Sequence, residues 1–319
     1  MAEQKLLDQV RSQMTMKHYS QKTIGSYVGW MKRYILFHHK RHPREMTECE
    51  VEAFLNALAN RDNVSASTQN QAFNAILYLY REVLHIELND IDACRARKAK
   101  RVPVVFSVDE VGRVLAQLNG PVKLAAMLMY GSGLRLMEAM SLRVKDVDFG
   151  QMTITVHDGK GFKDRVTILP KTLIDQLRQQ IEVVKGVFAA DVARGFGGAT
   201  FPDALSRKYP NAPRELAWQY LLPADHLIGS YDGRSLVRHH LHESVEQKSV
   251  RAAIQRAQVY KHAGCHTFRH SFATHALQNG MDIRTLQQLM GHTDVRTTMG
   301  YLHVEINAGT GDRSPLDVL

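Results

Sequence analysis

The densest run of side chains able to do chemistry is His266-Thr-Phe-Arg269-His270-Ser-Phe-Ala-Thr-His275, followed by Gly291-His292 and then Tyr301. On a helix His266 and Arg269 stand three residues apart and share a face, leaving Phe268 and Phe272 for the buried one. An arginine and a histidine facing one cleft suit a phosphate, because a guanidinium offers a planar fork of donors to two oxygens. Upstream, Arg135 stands three residues before Glu138, and Lys160 lies between Gly159 and Gly161. Breaking a phosphodiester without a metal needs a nucleophile, neutralisation of charge on the non-bridging oxygens and a proton for the leaving oxygen. The chain holds side chains of all three kinds.

Each of these residues also has a plain structural explanation. A single His near an apolar helix is usually a satisfied structural residue, Tyr301 suits an amphipathic surface, Arg135 suits a helix salt bridge to Glu138, and Lys160 suits a solvated hairpin tip. The spacing of His266, His270 and His275 raises a further alternative, a metal-dependent hydrolase, since histidines four apart on a helix can share a metal. Against it, no Glu lies between them as in the zincin pattern, and Arg269 inside the cluster would repel a cation.

The elements that must position these groups are mostly helical. Ile24, Tyr27, Val28, Met31, Tyr34 and Ile35 recur at amphipathic helix spacing. Thr47 and Glu50 form a capping box ahead of Val51, Phe54, Leu55 and Leu58, and a third helix carries Phe73, Ile76, Leu77, Tyr80 and Leu84. Residues 1–90 therefore read as a small helical domain. A basic run follows, with Arg95, Arg97, Lys98, Lys100 and Arg101 and no acid among them. It reads as a linker over 91–104, either simply solvated or laid along phosphates as a strap.

A second unit, 105–319, opens at the Ser107/Glu110 capping box. Met152, Ile154 and Val156, then Val166 and Ile168, alternate with polar residues and predict a β-hairpin with Gly159, Lys160 and Gly161 in its loop. A helix is expected near 171–185, then an irregular Gly-, Pro- and aromatic-rich stretch over about 186–240. Helices near 243–258, 267–278 and 282–290 follow. The predicted fold class is mainly α (α+β): a helical N-terminal domain and a mixed helical domain with a small antiparallel β-sheet.

Lys plus Arg number 41 against 32 Asp plus Glu, a formal charge of +9 with pI near 9.4, which favours a polyanionic partner such as nucleic acid. Cys49, Cys94 and Cys265 are few and far apart, arguing against a disulfide framework or a cysteine zinc site. With no basic leader ahead of an apolar stretch and no run of about 18 apolar residues, a cytoplasmic protein without membrane association is expected.

In order and spacing, Gly131-Ser-Gly-Leu-Arg135-Leu-Met-Glu138, the hairpin Lys160, His266-x-x-Arg269, Gly291-His292 and Tyr301 resemble the tyrosine recombinases of phage integrase type. The resemblance spans essentially the whole chain, as a SAM-like core-binding domain and a catalytic domain. Within the family the sequence is most similar to the integron integrases. Tyr130-Gly-Ser-Gly-Leu-Arg135, Cys265-His-Thr-Phe-Arg269 and Gly291-His-Thr-Asp-Val-Arg-Thr-Thr298 carry that likeness. So do Lys208-Tyr-Pro-Asn-Ala-Pro213, Trp218-Gln-Tyr-Leu-Leu-Pro223 and Arg238-His239-His240 in the 186–240 stretch.

The resemblance implies that Tyr301 attacks phosphorus and that Arg135, Arg269 and His292 hold the phosphoryl oxygens. Lys160 would protonate the 5′ oxygen, His266 would assist proton transfer at the tyrosine, and Glu138 would orient Arg135. It implies no cofactor, because the phosphotyrosine keeps the bond energy. The implied partners are DNA, as a duplex integron site (attI) and a folded single-stranded cassette site (attC), and further copies of the chain in a tetramer on two sites within a bacterial nucleoid. Trp218, His239 and His240 would meet protruding bases. Phe162, Gly300 and Leu302 depart from the family pattern, and Gly300 is expected to loosen the helix ahead of the nucleophile. Neighbouring alternatives are a phage or Xer-like recombinase, a relative that binds DNA but has lost catalysis, and a type IB topoisomerase.

Overall fold

Ser20 starts the helix that the Ile24 periodicity predicts: its hydroxyl accepts from the Thr23 N–H at 3.1 Å, and Ile24, Val28, Met31 and Tyr34 line the buried side. The structure is a computed structural model, and it describes residues 5–88, 103–159, 163–196, 198–201, 208–229 and 236–301. The chain divides into two compact units, Met1–Arg101 and Val102–Leu319. Lys160, Phe162, Leu302 and the basic run Arg95, Arg97, Lys98, Lys100 and Arg101 lie outside the described residues.

The first unit contains α1 (Leu6–Met16), α2 (Gln21–Phe37), α3 (Glu48–Asn60) and α4 (Ala66–Tyr78). The Glu50 carboxylate accepts from the Thr47 N–H at 2.7 Å and from the Thr47 hydroxyl at 2.9 Å, fixing the start of α3. The third expected helix is not uniform, since after Tyr78 it widens into a π turn, Leu79–Leu84. That turn carries Tyr80, whose hydroxyl meets Tyr34 Oη and the Pro43 carbonyl, each at 3.0 Å, inside the core. A buried hydroxyl without such partners would cost a few kcal/mol.

The second unit begins with α5 (Val108–Ala116), whose Ser107 and Glu110 exchange both capping hydrogen bonds, at 2.7 and 3.1 Å. α6 (Gly120–Gly131) and α7 (Leu136–Ser141) lead into an antiparallel sheet of β1 (Val147–Asp148), β2 (Thr153–Gly159) and β3 (Lys163–Ile168) in the order β1-β2-β3. Ile154 and Val156 point into the core as the alternation predicts. The alternation does not carry into β3, where Val166 and Ile168 are exposed while Thr167 is buried and donates to the Ser132 carbonyl at 2.8 Å. Register is the reason. Ile154 pairs with Thr167 and Val156 with Arg165, and directly opposed residues share a face.

α8 (Ile174–Ala193) runs well past the expected end, and the stretch read as irregular contains a second hairpin, β4 (Pro223–Gly229) with β5 (Leu236–His240). The link between them is a buried ion pair: Arg238 donates to both Asp191 oxygens, at 2.9 and 2.5 Å, and to the Ala224 carbonyl at 2.8 Å. Three helices complete the unit, α9 (Glu243–Arg256), α10 (Cys265–Gln278) and α11 (Ile283–Met290), followed by the short α12 (Val295–Met299). No helix among the described residues is long and apolar enough to cross a membrane.

One acid of α9 stands apart. Glu246 is fully buried, and neither carboxylate oxygen has a hydrogen-bond partner among the described residues. Burial pushes its pKa from 4.5 up to about 8, and the neighbouring Cys265 thiol is pushed up to about 12 by burial and then by Glu246. A carboxyl raised in the folded state stabilises fully below its ordinary value and loses that contribution as pH climbs to the raised one. Glu246→Gln is therefore expected to gain on the parent between pH 4.5 and 8, by up to about 1.4 kcal/mol per pH unit, and to hold a constant lead above that window. Thermal melts of both proteins from pH 5 to 9 test this; parallel profiles would show that Glu246 does not titrate there.

Candidate active site

α10 presents His266, Arg269 and His270 to a cleft and buries Phe268, Phe272 and Ala273 behind them. Arg269 is itself only 5% exposed, so its charge needs partners at close range. It donates to the carbonyls of Gly133 and Met290 and, from Nη2, to His292 Nε2 at 3.2 Å. Gly133 makes this approach possible. Its φ is +65°, and a Cβ there would stand 2.5 Å from the Phe272 ring.

Arg135 sits at the start of α7, where its N–H donates to Glu138 Oε2 at 2.8 Å and its Nη1 to Oε1 at 2.7 Å. The same carboxylate takes Arg165 in a fork, Nη1 to Oε1 at 2.8 Å and Nη2 to Oε2 at 2.6 Å, and Arg269 Nη1 lies 3.7 Å from Oε2. Burial alone would raise the Glu138 pKa, but hydrogen bonds and charge from Arg165, then Arg135, hold it at about 2. It is a permanent anion among three cations.

The same cations close the end of α11. Arg165 Nε donates to the Leu289 carbonyl at 2.8 Å, Arg269 to Met290 at 2.5 Å, and Arg135 reaches Gly291 at 3.5 Å. These carbonyls have no partner within the helix and carry its negative end. Gly291 turns the chain at φ +60° and delivers His292 to the cleft.

His292 Nδ1 meets Thr298 Oγ1 at 3.0 Å while Nε2 faces a guanidinium that can only donate. The ring is therefore neutral with its proton on Nδ1. Burial and then Arg269, Arg135 and Arg165 draw its pKa down to about 4. Tyr301 is buried, and its hydroxyl meets His270 Nδ1 at 2.9 Å. Burial, then His266 and Arg269, lower His270 to about 4, so at neutral pH its imidazole is uncharged. Burial raises the Tyr301 pKa, with Arg269 and Arg135 opposing, which keeps the hydroxyl protonated.

Arg135, His266, Arg269, His270, His292 and Tyr301 thus line one cleft of about 230 Å³. Of the residues singled out from the sequence, Arg135, His266, Arg269, His292 and Tyr301 come together, with Glu138 directly behind. The contact to Tyr301 comes from His270, where the resemblance had implied His266. Gly300 follows α12 as its C-cap, so the expected loosening of a helix interior does not apply. The histidines considered as metal ligands diverge, since His275 Nδ1 turns to Tyr130 Oη at 3.0 Å. Among the described residues no group of three His, Cys, Asp or Glu side chains could hold a metal.

Trp218, His239 and His240 lie outside the cleft. Trp218 lines a second cavity of about 570 Å³ with Arg143, Lys145, Phe201 and Tyr220. Its ring meets Phe201 edge-on at 4.9 Å and carries Lys145 Nζ at 4.3 Å. The histidine pair is divided: His239 is half-buried, with Nδ1 3.2 Å from Thr200 Oγ1, whereas His240 is buried with Nδ1 on the Leu241 carbonyl at 2.7 Å. Arg238, beside them, is committed to Asp191. Arg165 and Arg143 were missed from the sequence, and His270 was weighed there only as a metal ligand. The one available signal was a cation in strand phase with Thr167, and the apolar alternation masked it.

Comparison with known proteins shows the family. Residues 6–90 match the phage integrase N-terminal SAM-like domain and residues 105–307 the phage integrase family. An integrase/recombinase of Escherichia coli is 46% identical over 99% of this chain and 94% of its own, and one of Pseudomonas aeruginosa is equally similar. The tyrosine recombinase XerA of Thermococcus onnurineus is 26% identical over 94% of this chain and 91% of its own. In fold, the chain is similar to a lambda integrase (75-356) dimer bound to a core site, at TM-score 0.64 and 16% identity over 98% of each chain. The chain belongs to the phage integrase family and, within it, to the tyrosine site-specific recombinases, enzymes that break and rejoin DNA.

Gly291 offers a direct check of the arginine cluster, because a Cβ there would stand 2.7 Å from Arg165 Cδ in addition to the left-handed φ. Gly291→Ala is expected to lose about 1–3 kcal/mol of stability and most strand cleavage. Gly112→Ala, a site in α5 with nothing within 4 Å, should be neutral or slightly stabilising. Equal melting temperatures for Gly291→Ala and the parent would mean that Arg165 is not seated against this turn.

Proposed function

We propose that this recombinase works through a 3′-phosphotyrosine at Tyr301; the observation that carries the reading is one cleft holding Arg135, Arg269, His292 and Tyr301. The Tyr301 oxygen attacks phosphorus, its proton passes to a neighbouring imidazole, and the bond to the 5′ oxygen breaks. His270 Nδ1 already meets that hydroxyl and, as the tautomer with its proton on Nε2, can accept the proton; His266 lines the same cleft. Arg135 and Arg269 neutralise the non-bridging oxygens, each contact worth about 10²- to 10³-fold in rate, and His292 adds a further donor once its proton has moved from Nδ1 to Nε2. Lys160 is assigned the proton for the departing 5′-hydroxyl. Reversal by a 5′-hydroxyl from another strand rejoins the DNA without ATP.

Tyr301→Phe should bind its site within about threefold of the parent yet form no covalent adduct, since only the nucleophilic oxygen is removed. The measurement is adduct formation on labelled DNA, denatured before electrophoresis. An adduct formed by the Phe protein would overturn the assignment.

The finer reading is an integron-type integrase that inserts and excises gene cassettes, acting as a tetramer on a duplex attI site and a folded single-stranded attC site in the bacterial cytoplasm. It rests on the insert motifs and on the cavity where Arg143, Lys145, Phe201, Trp218 and Tyr220 combine cations with aromatic faces. Such a site suits an unpaired base attached to a phosphate, with stacking worth roughly 1–3 kcal/mol whatever the base. The half-buried His239 can join this face; the buried His240 supports it from beneath. The basic run Arg95, Arg97, Lys98, Lys100 and Arg101 is assigned to phosphates. Trp218→Ala should weaken binding of a hairpin bearing unpaired bases about five- to 150-fold, and leave the same hairpin without those bases, and a plain duplex, nearly unchanged. Equal weakening on all three, with a lowered melting temperature, would make Trp218 a structural plug.

A further inference from the structure

We infer that Arg165 is a positioning residue for strand cleavage: from behind the cleft its guanidinium sets Arg135, Arg269 and the Gly291-His292 turn in their working places. Arg165 lies on the inward face of β3, opposite Val156, with its side chain 8% exposed. It reaches the cleft only through other residues. Both of its terminal nitrogens are spent on Glu138, at 2.8 and 2.6 Å, and its Nε on the Leu289 carbonyl at 2.8 Å.

Each of those contacts is shared with, or adjoins, a group that faces the cleft. The Glu138 oxygens that take Arg165 also take the Arg135 N–H and Nη1, at 2.8 and 2.7 Å. The carbonyl next to Leu289, that of Met290, holds Arg269, and the following one, Gly291, is reached by Arg135. The Arg165 side chain also occupies the space a Cβ on Gly291 would need. A shift of Arg165 therefore moves both clamp arginines and the residue ahead of His292 together.

Charge gives the contact its direction. Three guanidiniums around one carboxylate leave a surplus of two positive charges to meet the charge developing on a phosphoryl group. Without Arg165 the surplus falls to one, and a buried Glu138 left with Arg135 as its sole close cation draws Arg269, now 3.7 Å away, and Arg135 inward. A lysine would restore the charge but cannot serve two carboxylate oxygens and a carbonyl in fixed planar geometry.

The inference rests on the reading of Arg135, Arg269 and Tyr301 given above, and the experiment separates the two. Single-turnover adduct formation is measured for the parent, Tyr301→Phe, Arg165→Met, Arg165→Lys, and Arg165→Met combined with Glu138→Gln. Each is run on a site with an ordinary scissile phosphate and on one whose scissile group is a methylphosphonate, which has one non-bridging charge fewer to neutralise. Melting temperature and affinity for uncleaved DNA are recorded alongside.

Arg165→Met is expected to slow adduct formation on phosphate about 10²-fold or more while DNA affinity changes little. The defect should shrink at least about tenfold on methylphosphonate, and the double variant should regain at least about tenfold on phosphate because neutralising Glu138 returns the surplus to two. Arg165→Lys should recover melting temperature without recovering rate. Parent-like cleavage by Arg165→Met, or equal slowing on both substrates that Arg165→Lys restores along with stability, would overturn the inference and leave Arg165 as a structural ion pair. If Arg165→Met does not fold, the double variant and Arg165→Lys carry the same comparison. An adduct in the Tyr301→Phe control would sink the underlying reading, and this inference with it.

Discussion

Three guanidiniums converge on one buried carboxylate. Arg135, Arg165 and Arg269 would repel one another in a space that excludes water, and Glu138 is the only described carboxylate among them. That anion is not sufficient alone. The carbonyls of Leu289, Met290 and Gly291, at the negative end of α11, take up the remaining donors. The start of α7, the inward face of β3, the length of α10 and the end of α11 must therefore be placed correctly with respect to one another. The glycines at 133 and 291 are consequences of that convergence, since each lies where a cation or a ring comes too close for a Cβ.

The cluster also explains the state of its neighbours. With little water and a surplus of positive charge close by, His292 and His270 are held neutral, whereas Tyr301 keeps its proton through burial and against the pull of Arg269 and Arg135. The site is thus arranged as an anion receptor with an uncharged nucleophile beside it. Its guanidiniums are already oriented, by Glu138 and the carbonyls at the end of α11, before any phosphate arrives, which is the condition under which electrostatic stabilisation contributes most to a rate. Glu246, in contrast, has no cation and accepts burial by protonation, which shows how unusual the Glu138 environment is within the same unit.

The 186–240 stretch obeys a similar rule at a distance from the cleft. Arg238 and Asp191 neutralise each other inside it, and Arg143 is held by the Trp218 and Thr200 carbonyls and stacked on Tyr220 at 4.3 Å. Those contacts support an aromatic surface, and they hold together the described parts of a segment poor in apolar periodicity.

Much of this was legible before folding was considered. The caps at Thr47 and Ser107, the stripe from Ile24 to Tyr34 and the alternation through Val156 are local patterns, and each formed its element because neighbours in sequence decide helix and strand. The types and spacing of Arg135, His266, Arg269, His292 and Tyr301 likewise marked one anion-directed site. What the sequence could not report was any partnership between elements. Glu138 and Arg165 are 27 residues apart and His270 and Tyr301 are 31 apart, so no periodicity connects them. The phase of β3 was decided by its register against β2, which turned Arg165 and Thr167 inward in place of the more apolar Val166 and Ile168. The burial of His240 beside an exposed-looking twin was decided by the pleat of β5 and the packing beneath it. Local spacing determines which side chains share a face of one element; only the tertiary fold decides what that face meets.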